Sequence, residues 1–266
     1  MRAVKLIALN TTGYLISRKT MYVLFFIALF VLLITGADLY GLFTSDPAAD
    51  PKALLSRQAS ALSRLFGIWS VLSTFAAIIA AAGVVYSDTK SKIILGILAK
   101  PVARWQYLTG KWFGVLLFFY GFLATGLLIV IILMLIWGIS FTGLFVTAVA
   151  GQLMILTVYS GIAFSLSLFI APMPAGGISF IFFSFASQFE QLISADLWWA
   201  SLLGSVLYYL QPAVLSDNIL EKGLLNNLLD PDFSFYWSVI AENMLYAALI
   251  FFIAITFFQK KDIIAD

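Results

Sequence analysis

The chain has 266 residues, of which 62% are hydrophobic and only 11% charged, and its formal net charge is +2. A soluble globular domain has roughly 45–50% apolar and about 25% charged residues, so this composition indicates an integral membrane protein. The absence of cysteine and histidine excludes catalytic or metal sites built on thiolates or imidazoles, and the balanced charge gives no sign of a nucleic-acid partner.

The N-terminal region combines a cationic start with the first apolar run. Residues 1–19 mix apolar residues with four cations, which is typical of a helix lying at the membrane surface; a frayed basic leader is the alternative. Residues 20–37 then predict the first span. This run lacks the small-residue cleavage site of a signal peptide, so we expect it to be retained.

A polar segment at residues 38–64 separates the first two predicted spans. It contains the turn signals Asp46-Pro47 and Asp50-Pro51, and Pro51 suits the first turn of a short helix. The second span is predicted at 65–87. Its small residues between positions 76 and 83 would let a neighbouring helix approach closely.

The central part of the sequence is free of charge. No Asp, Glu, Lys or Arg lies between Lys111 and Glu190, which leaves room for three spans. They are predicted at residues 112–139, 144–170 and 177–194. The connection at 140–143 is so short that the third and fourth spans should form an antiparallel hairpin. The Pro- and Gly-rich run at 171–177 is expected to break the helix before the fifth span.

An acidic segment reaching residue 232 precedes the sixth predicted span, at 233–258. Within it, residues 197–210 are apolar but too few for a confident crossing, so we predict a re-entrant or interfacial helix there. The sequence therefore predicts an all-α, polytopic membrane protein in which residues 1–266 form one transmembrane domain with six spans.

The distribution of cations predicts the orientation. With six spans, the N-terminus, the segment 88–111 and the C-terminal tail share one side and hold eleven of the 15 Lys and Arg residues. Retained cations mark the cytoplasmic side of a membrane protein. Both termini are therefore predicted to be cytoplasmic and the acidic segment external.

The segment 86–114 resembles the first cytoplasmic loop of type-2 ABC transporter permeases. It looks most like the branch that contains the nitrous-oxide-reductase maturation and multicopper enzyme maturation permeases. The matching residues, at the family's spacing, are Leu98, Lys100, Pro101, Arg104, Gly110, Lys111 and Gly114. The cationic start and the closing residues 257–262 are similar to that family too, so the resemblance extends over the chain.

The resemblance implies an ATP-driven exporter whose segment 88–111 carries a coupling helix that contacts a cytoplasmic ABC ATPase subunit. A second copy of the permease, or a related chain, would complete the transporter as a dimer. The residues implied in coupling are Asp88, Lys90, Lys92, Leu98, Lys100, Pro101, Arg104, Gly110 and Lys111. The sequence contains no phosphate-binding loop, so ATP and magnesium are expected on the partner subunit and no cofactor on this chain.

The residues themselves favour a docking element at the same place. A short helix carrying Leu95 and Leu98, flanked by Arg104 and Lys111, would present an apolar knob with a basic collar at the membrane edge. The simpler interpretation is that these cations only set the topology.

Polar residues within the predicted spans are candidates for lining a pathway, because ionisable groups at membrane depth are costly and normally face a partner or water. They are Gln152, Gln188, Glu190, Glu242 and Asn243. The alternatives are hydration near the external interface and hydrogen bonds to neighbouring helices.

Two other functions compete with transport. A non-transporting membrane anchor or scaffold in a larger ABC-type machine would use the acidic external segment as an interaction surface. An intramembrane enzyme is disfavoured because Glu242 has no evident acid, base or metal partner in the sequence. No catalytic or metal-binding residue is therefore predicted.

Overall fold

The computed structural model describes residues 2–17, 19, 22, 25–30, 51–90, 102–138, 143–185, 198–210 and 233–260. Within these residues the chain forms helices joined by turns, without a strand. The helices are α1 Arg2–Ser17, α2 Pro51–Lys90, α3 Arg104–Trp137, α4 Gly143–Leu166, α5 Pro172–Ser184, α6 Trp198–Leu210 and α7 Phe233–Lys260.

Four of the described helices are long and apolar enough to cross a membrane. The stretches that meet this criterion are Arg57–Asp88 in α2, Arg104–Trp137 in α3, Phe145–Leu166 in α4 and Trp237–Lys260 in α7. Each provides at least the 20 or so residues that a bilayer crossing requires. The protein is therefore all-α, with apolar helices that fit a membrane protein.

These four helices contain the predicted second, third, fourth and sixth spans. Of the predicted first span, the structure describes residue 22 and residues 25–30, which are helical. The predicted fifth span is covered only by α5, which ends at Ser184, and residues 186–194 lie outside the described part. Six spans thus remain a prediction.

The start of α5 corrects the predicted beginning of the fifth span at residue 177. The helix begins at Pro172, and the run that was expected to break it forms its first turns. Proline is tolerated there because its missing N–H has no partner in a first turn and its φ is already helical. The chain turns instead at residues 167–170, immediately before the helix.

The predicted boundary between a short helix from Pro51 and a second span is also wrong. Residues 51–90 form one continuous helix of 40 residues, which at 1.5 Å per residue is about 60 Å long. Its N-terminal half packs against the rest of the bundle, since Leu62, Leu65 and Phe66 are buried in the protein core. Packing of these side chains stabilises the helix across the polar residues Ser63 and Arg64.

The helices pack as a bundle around α3 and α4. Helix α4 contacts α2, α5 and α7, while α3 contacts α1, α2 and α7. One buried cluster joins the C-terminal part of α2 to the N-terminal part of α3 and the C-terminal part of α7. A second cluster joins the N-terminal part of α2 to the C-terminal part of α3. Helices α2 and α7 therefore run antiparallel to α3.

Two expectations about packing hold. The Tyr120 hydroxyl of α3 pairs with the Thr157 hydroxyl of α4, at similar distances from the short connection, so these helices form the predicted antiparallel hairpin. The small-residue patch of α2 is buried, and Gly176 of α5 lies beside it, where an added Cβ would be 3.8 Å from the Ala82 Cβ. Small side chains thus allow α5 to approach α2 closely.

Candidate functional site at one end of the bundle

A buried ion pair joins the two helices that flank the segment 88–111. The Lys111 Nζ lies 2.6 Å from the Asp88 Oδ2, and the two side chains are only 6% and 10% exposed. Asp88 lies in the last turn of α2 and Lys111 in the second turn of α3. Charges removed from water in this way require a close partner, which each supplies to the other.

Tyr107 completes this cluster from the first turn of α3. Its hydroxyl donates a 2.7 Å hydrogen bond to the Asp88 Oδ2, and the Lys111 Nζ lies 5.7 Å from the centre of its ring. Its ring also stacks on Phe258 of α7, with centroids 6.3 Å apart. The carboxylate, the ammonium and the phenol therefore pair with one another between α2 and α3, and the stacked Phe258 ring adds a contact with α7. We call Asp88, Tyr107 and Lys111 the ion-pair cluster.

Arg104 connects the same end of the bundle to the end of α7. Its Nη1 donates to the carbonyl oxygens of Phe258 and Gln259, at 3.4 and 3.1 Å. The last carbonyls of a helix have no partner within it, and a cation there also complements the negative end of the helix dipole. Arg104 thus caps α7 while beginning α3.

Gly110 and Gly114 form the seat of α1. A Cβ at Gly110 would lie 2.7 Å from the Ile7 Cβ, and one at Gly114 would lie 2.6 Å from the Ala8 carbonyl oxygen. Thr12 donates a 3.0 Å hydrogen bond to the Gly114 carbonyl. The contacts advance in the same order along both helices, so α1 runs parallel to α3.

Of the nine residues implied in coupling, five lie in the described part of the chain. Asp88, Arg104, Gly110 and Lys111 lie together and bind other parts of this chain. Lys90 is exposed at the end of α2. The remaining four lie outside the described residues: Lys92, Leu98, Lys100 and Pro101.

The candidate pathway residues do not converge within the described helices. The Gln152 Nε2 donates to the Thr74 hydroxyl at 3.2 Å, which links α4 to α2. Asn243 is 1% exposed and donates to the Val239 carbonyl of its own helix, whereas Glu242 beside it is exposed on the outside of the bundle. Gln188 and Glu190 lie outside the described part of the chain.

Sequence reasoning missed Tyr107 and the pairing of Asp88 with Lys111. Interfacial tyrosines are common in membrane proteins, so Tyr107 carried no distinctive signal. The pairing did have one: an acid at the end of one span and a base at the start of the next face each other when the two helices are antiparallel neighbours. From the sequence, Asp88 and Lys111 are instead assigned to a partner contact, or Lys111 to setting the topology, and are not paired.

The ion-pair cluster is suited to holding helix ends together. Its three polar groups are paired with one another, and Arg104 and the seat of α1 lie on the same helix. Within the described residues, no group of three or more His, Cys, Asp and Glu side chains could hold a metal ion. The site joins α1, α2, α3 and α7 at the two ends of the segment 88–111.

Comparison with known proteins adds no relative. No family model matches the chain, and no curated protein matches it. The likeness of residues 86–114 to ABC permeases therefore stays a prediction.

Proposed function

We propose that the chain is the permease subunit of an ATP-driven ABC exporter in the cytoplasmic membrane. ATP and magnesium would bind to a separate ABC ATPase, and this chain would transmit the movement of that ATPase without enzymatic activity or a cofactor of its own. The observation that carries the proposal is the ion-pair cluster, which joins both ends of the segment expected to contact the ATPase.

The rigidity of that junction is what coupling would require. A force on a loop between two independently moving helices would be absorbed by the loop. Here the 2.6 Å ion pair fixes α2 to α3, Arg104 fixes α3 to the end of α7, and Gly110 and Gly114 seat α1. A push on the segment 88–111 would therefore move these helices together, as rigid-body transitions of domains do.

The pathway would lie between two copies of the chain, or between it and a related permease. Gln152 links α4 to α2, and Asn243 hydrogen-bonds to the backbone of its own helix, so these two amides bind within the chain. Glu242, which is exposed on α7, would face a second copy or a water-filled space, because a lipid-facing carboxylate is costly.

Helix α6 would lie at one membrane interface, and only the cationic start of α1 would lie at the other. Helix α6 has 13 residues, about 20 Å, which is shorter than the roughly 30 Å hydrocarbon core. Among its described side chains, Trp198, Trp199 and Leu202 are exposed, as in helices that lie in the interface. We place α6 at the external surface and the cationic start of α1 at the cytoplasmic surface.

Copurification with an ABC ATPase tests the coupling role. The variant Lys100→Glu reverses a charge in the segment 88–111, and we expect it to weaken copurification and to lower the ATP turnover of the complex. Arg57→Glu makes the same reversal at the opposite end of α2, where Arg57 is exposed, and should change neither. Loss of ATPase binding in both variants, or in neither, would exclude the segment as the docking element.

The scaffold alternative is favoured by one observation, the failure of the candidate pathway residues to converge within the described helices. The chain has no cysteine, so Glu242→Cys provides a single cross-linking site. A transporter should change the yield of cross-linked dimer when ATP is added, because its pathway opens and closes. A scaffold should give the same yield in both conditions.

A further inference from the structure

A cavity of about 550 Å³ lies between α3, α4 and α7. Its lining is formed mainly by aromatic and aliphatic side chains, among them Trp112, Met154 and Phe251. At its deep end the hydroxyls of Tyr120 and Thr157 pair with each other, and Thr157 donates to the Leu153 carbonyl at 2.6 Å. The cavity therefore presents hydrocarbon to an occupant, which suits an apolar chain.

The cavity opens on the outer surface of the bundle, between α3 and α7. The residues at its mouth are half exposed or more: Phe113 is 50% exposed, Leu117 51% and Phe252 65%. Because both helices are apolar enough to span a membrane, this surface would face lipid in the bilayer. We call the cavity the α3–α7 groove.

On α3 and on α7, the groove extends equally far from the helix ends at Arg104 and Lys260. Its deepest residue on α3, Tyr120, is 16 residues from Arg104, and its deepest on α7, Met244, is 16 residues from Lys260. At 1.5 Å per residue this is about 24 Å from the helix ends. A leaflet contributes about 15 Å of hydrocarbon beyond its headgroups, so the groove reaches the middle of the bilayer from one side.

The size of the groove distinguishes between possible occupants. A second helix is 10–12 Å wide, and over the 12 Å between Trp112 and Tyr120 it would occupy roughly 1,000 Å³. The groove provides about half of that volume. A single acyl chain is much narrower and fits within it.

Cations stand at the end of the groove where a lipid headgroup would lie. The two helices that form its walls begin at Arg104 and end at Lys260, and Arg104 donates hydrogen bonds to the last carbonyls of α7. Lys260 is exposed there. A juxtamembrane Lys attracts anionic lipid by about 1 kcal/mol, so an anionic headgroup is favoured over a zwitterionic one.

We propose that the α3–α7 groove binds one acyl chain of an anionic phospholipid, with the phosphate beside Lys260. The chain would descend past Trp112 towards the paired hydroxyls of Tyr120 and Thr157. This proposal depends on the membrane location of α3 and α7 and is independent of any ATPase partner.

Native mass spectrometry of the full-length protein tests it, with phosphatidylglycerol and phosphatidylcholine as the added lipids. We expect one retained lipid, with phosphatidylglycerol preferred. Ala248 lines the groove and is exposed, so Ala248→Phe fills the groove from its open side. Retention should fall about tenfold, the effect of displacing two buried methylene groups. The matched control, Ala241→Phe, places the same ring two turns away on α7, outside the groove.

The headgroup contact has its own variant. Lys260→Ala should reduce the preference for phosphatidylglycerol about fivefold while retaining phosphatidylcholine. Since Lys260 is exposed, this variant tests the site even where Ala248→Phe does not fold. Equal lipid retention in the Ala248 and Ala241 variants would overturn the proposal. If Ala248→Phe abolished a dimer and left lipid binding unchanged, the proposal would also be overturned, because the groove would then hold a second copy.

Discussion

At the scale of single residues, the ion-pair cluster is the feature with the largest expected energetic effect. Lys111 and Asp88 are both nearly buried, and their charged atoms are 2.6 Å apart. A buried pair is weak evidence of net stabilisation, because desolvation offsets much of the attraction. Removing one partner is different, since it leaves a buried charge without compensation.

We predict that Asp88→Asn and Lys111→Met each destabilise the protein by about 3 kcal/mol, because each strands the opposite charge. The double variant should lose less stability than either single variant, since no charge is then buried alone. Thermal unfolding in detergent measures all three. If the two single effects simply add in the double variant, the residues do not interact.

The same residues show how far the sequence predicted the site. The resemblance to the permease loop singles out Arg104, Gly110 and Lys111, and the structure places all of them at one end of the bundle. Their partners were not predicted. The Arg104 guanidinium contacts carbonyls 154 and 155 residues away, and no pattern within one segment encodes a contact between such distant positions.

At the scale of elements, the seat of α1 depends on the absence of side chains at two positions of α3. A Cβ added at Gly114 would collide with the Thr11 Cβ and the Ala8 carbonyl oxygen, so the backbones of α1 and α3 approach closely there. Gly121, two turns later on the same helix, has no atom within 4 Å of an added Cβ. These glycines form a matched pair.

We predict that Gly114→Ala destabilises the protein by about 1–3 kcal/mol, because the added methyl group would overpack the interface with α1. Gly121→Ala should be neutral or stabilising, since alanine is favoured over glycine in a helix by up to about 1 kcal/mol. Thermal unfolding in detergent measures both. Equal effects of the two substitutions would show that α1 does not rest on Gly114.

Helix positions were more predictable than helix boundaries. Long apolar runs specify α3, α4 and α7 because a membrane helix satisfies its own backbone hydrogen bonds, so few other factors compete. Helix boundaries depend on residues such as proline, which can either end a helix or occupy its first turn. The sequence predicts that Pro172 breaks a helix, but it begins α5, because a proline in the first turn costs no hydrogen bond.

At the scale of the whole molecule, five of the described cations mark the two opposite ends of the bundle. Lys90, Arg104 and Lys260 stand at the end that carries the ion-pair cluster. Arg57 and Arg64 lie on the N-terminal half of α2, towards the other end. A cytoplasmic ATPase can reach the segment 88–111 only if the end that carries the ion-pair cluster faces the cytosol.

Single-cysteine labelling distinguishes the two orientations, because the chain contains no cysteine to give a background signal. Lys90 and Arg57 are both exposed and lie on the same helix, 33 residues apart, so they report on its two ends under matched conditions. The excess of Lys and Arg around the segment 88–111 predicts that this end is cytoplasmic. We therefore expect a membrane-impermeant maleimide to label Arg57→Cys in intact cells and Lys90→Cys only after the membrane is opened. The reverse pattern would place the ion-pair cluster on the external side, where no ATPase could reach it, and would exclude the proposed coupling role while leaving the helix bundle and the lipid groove as they are.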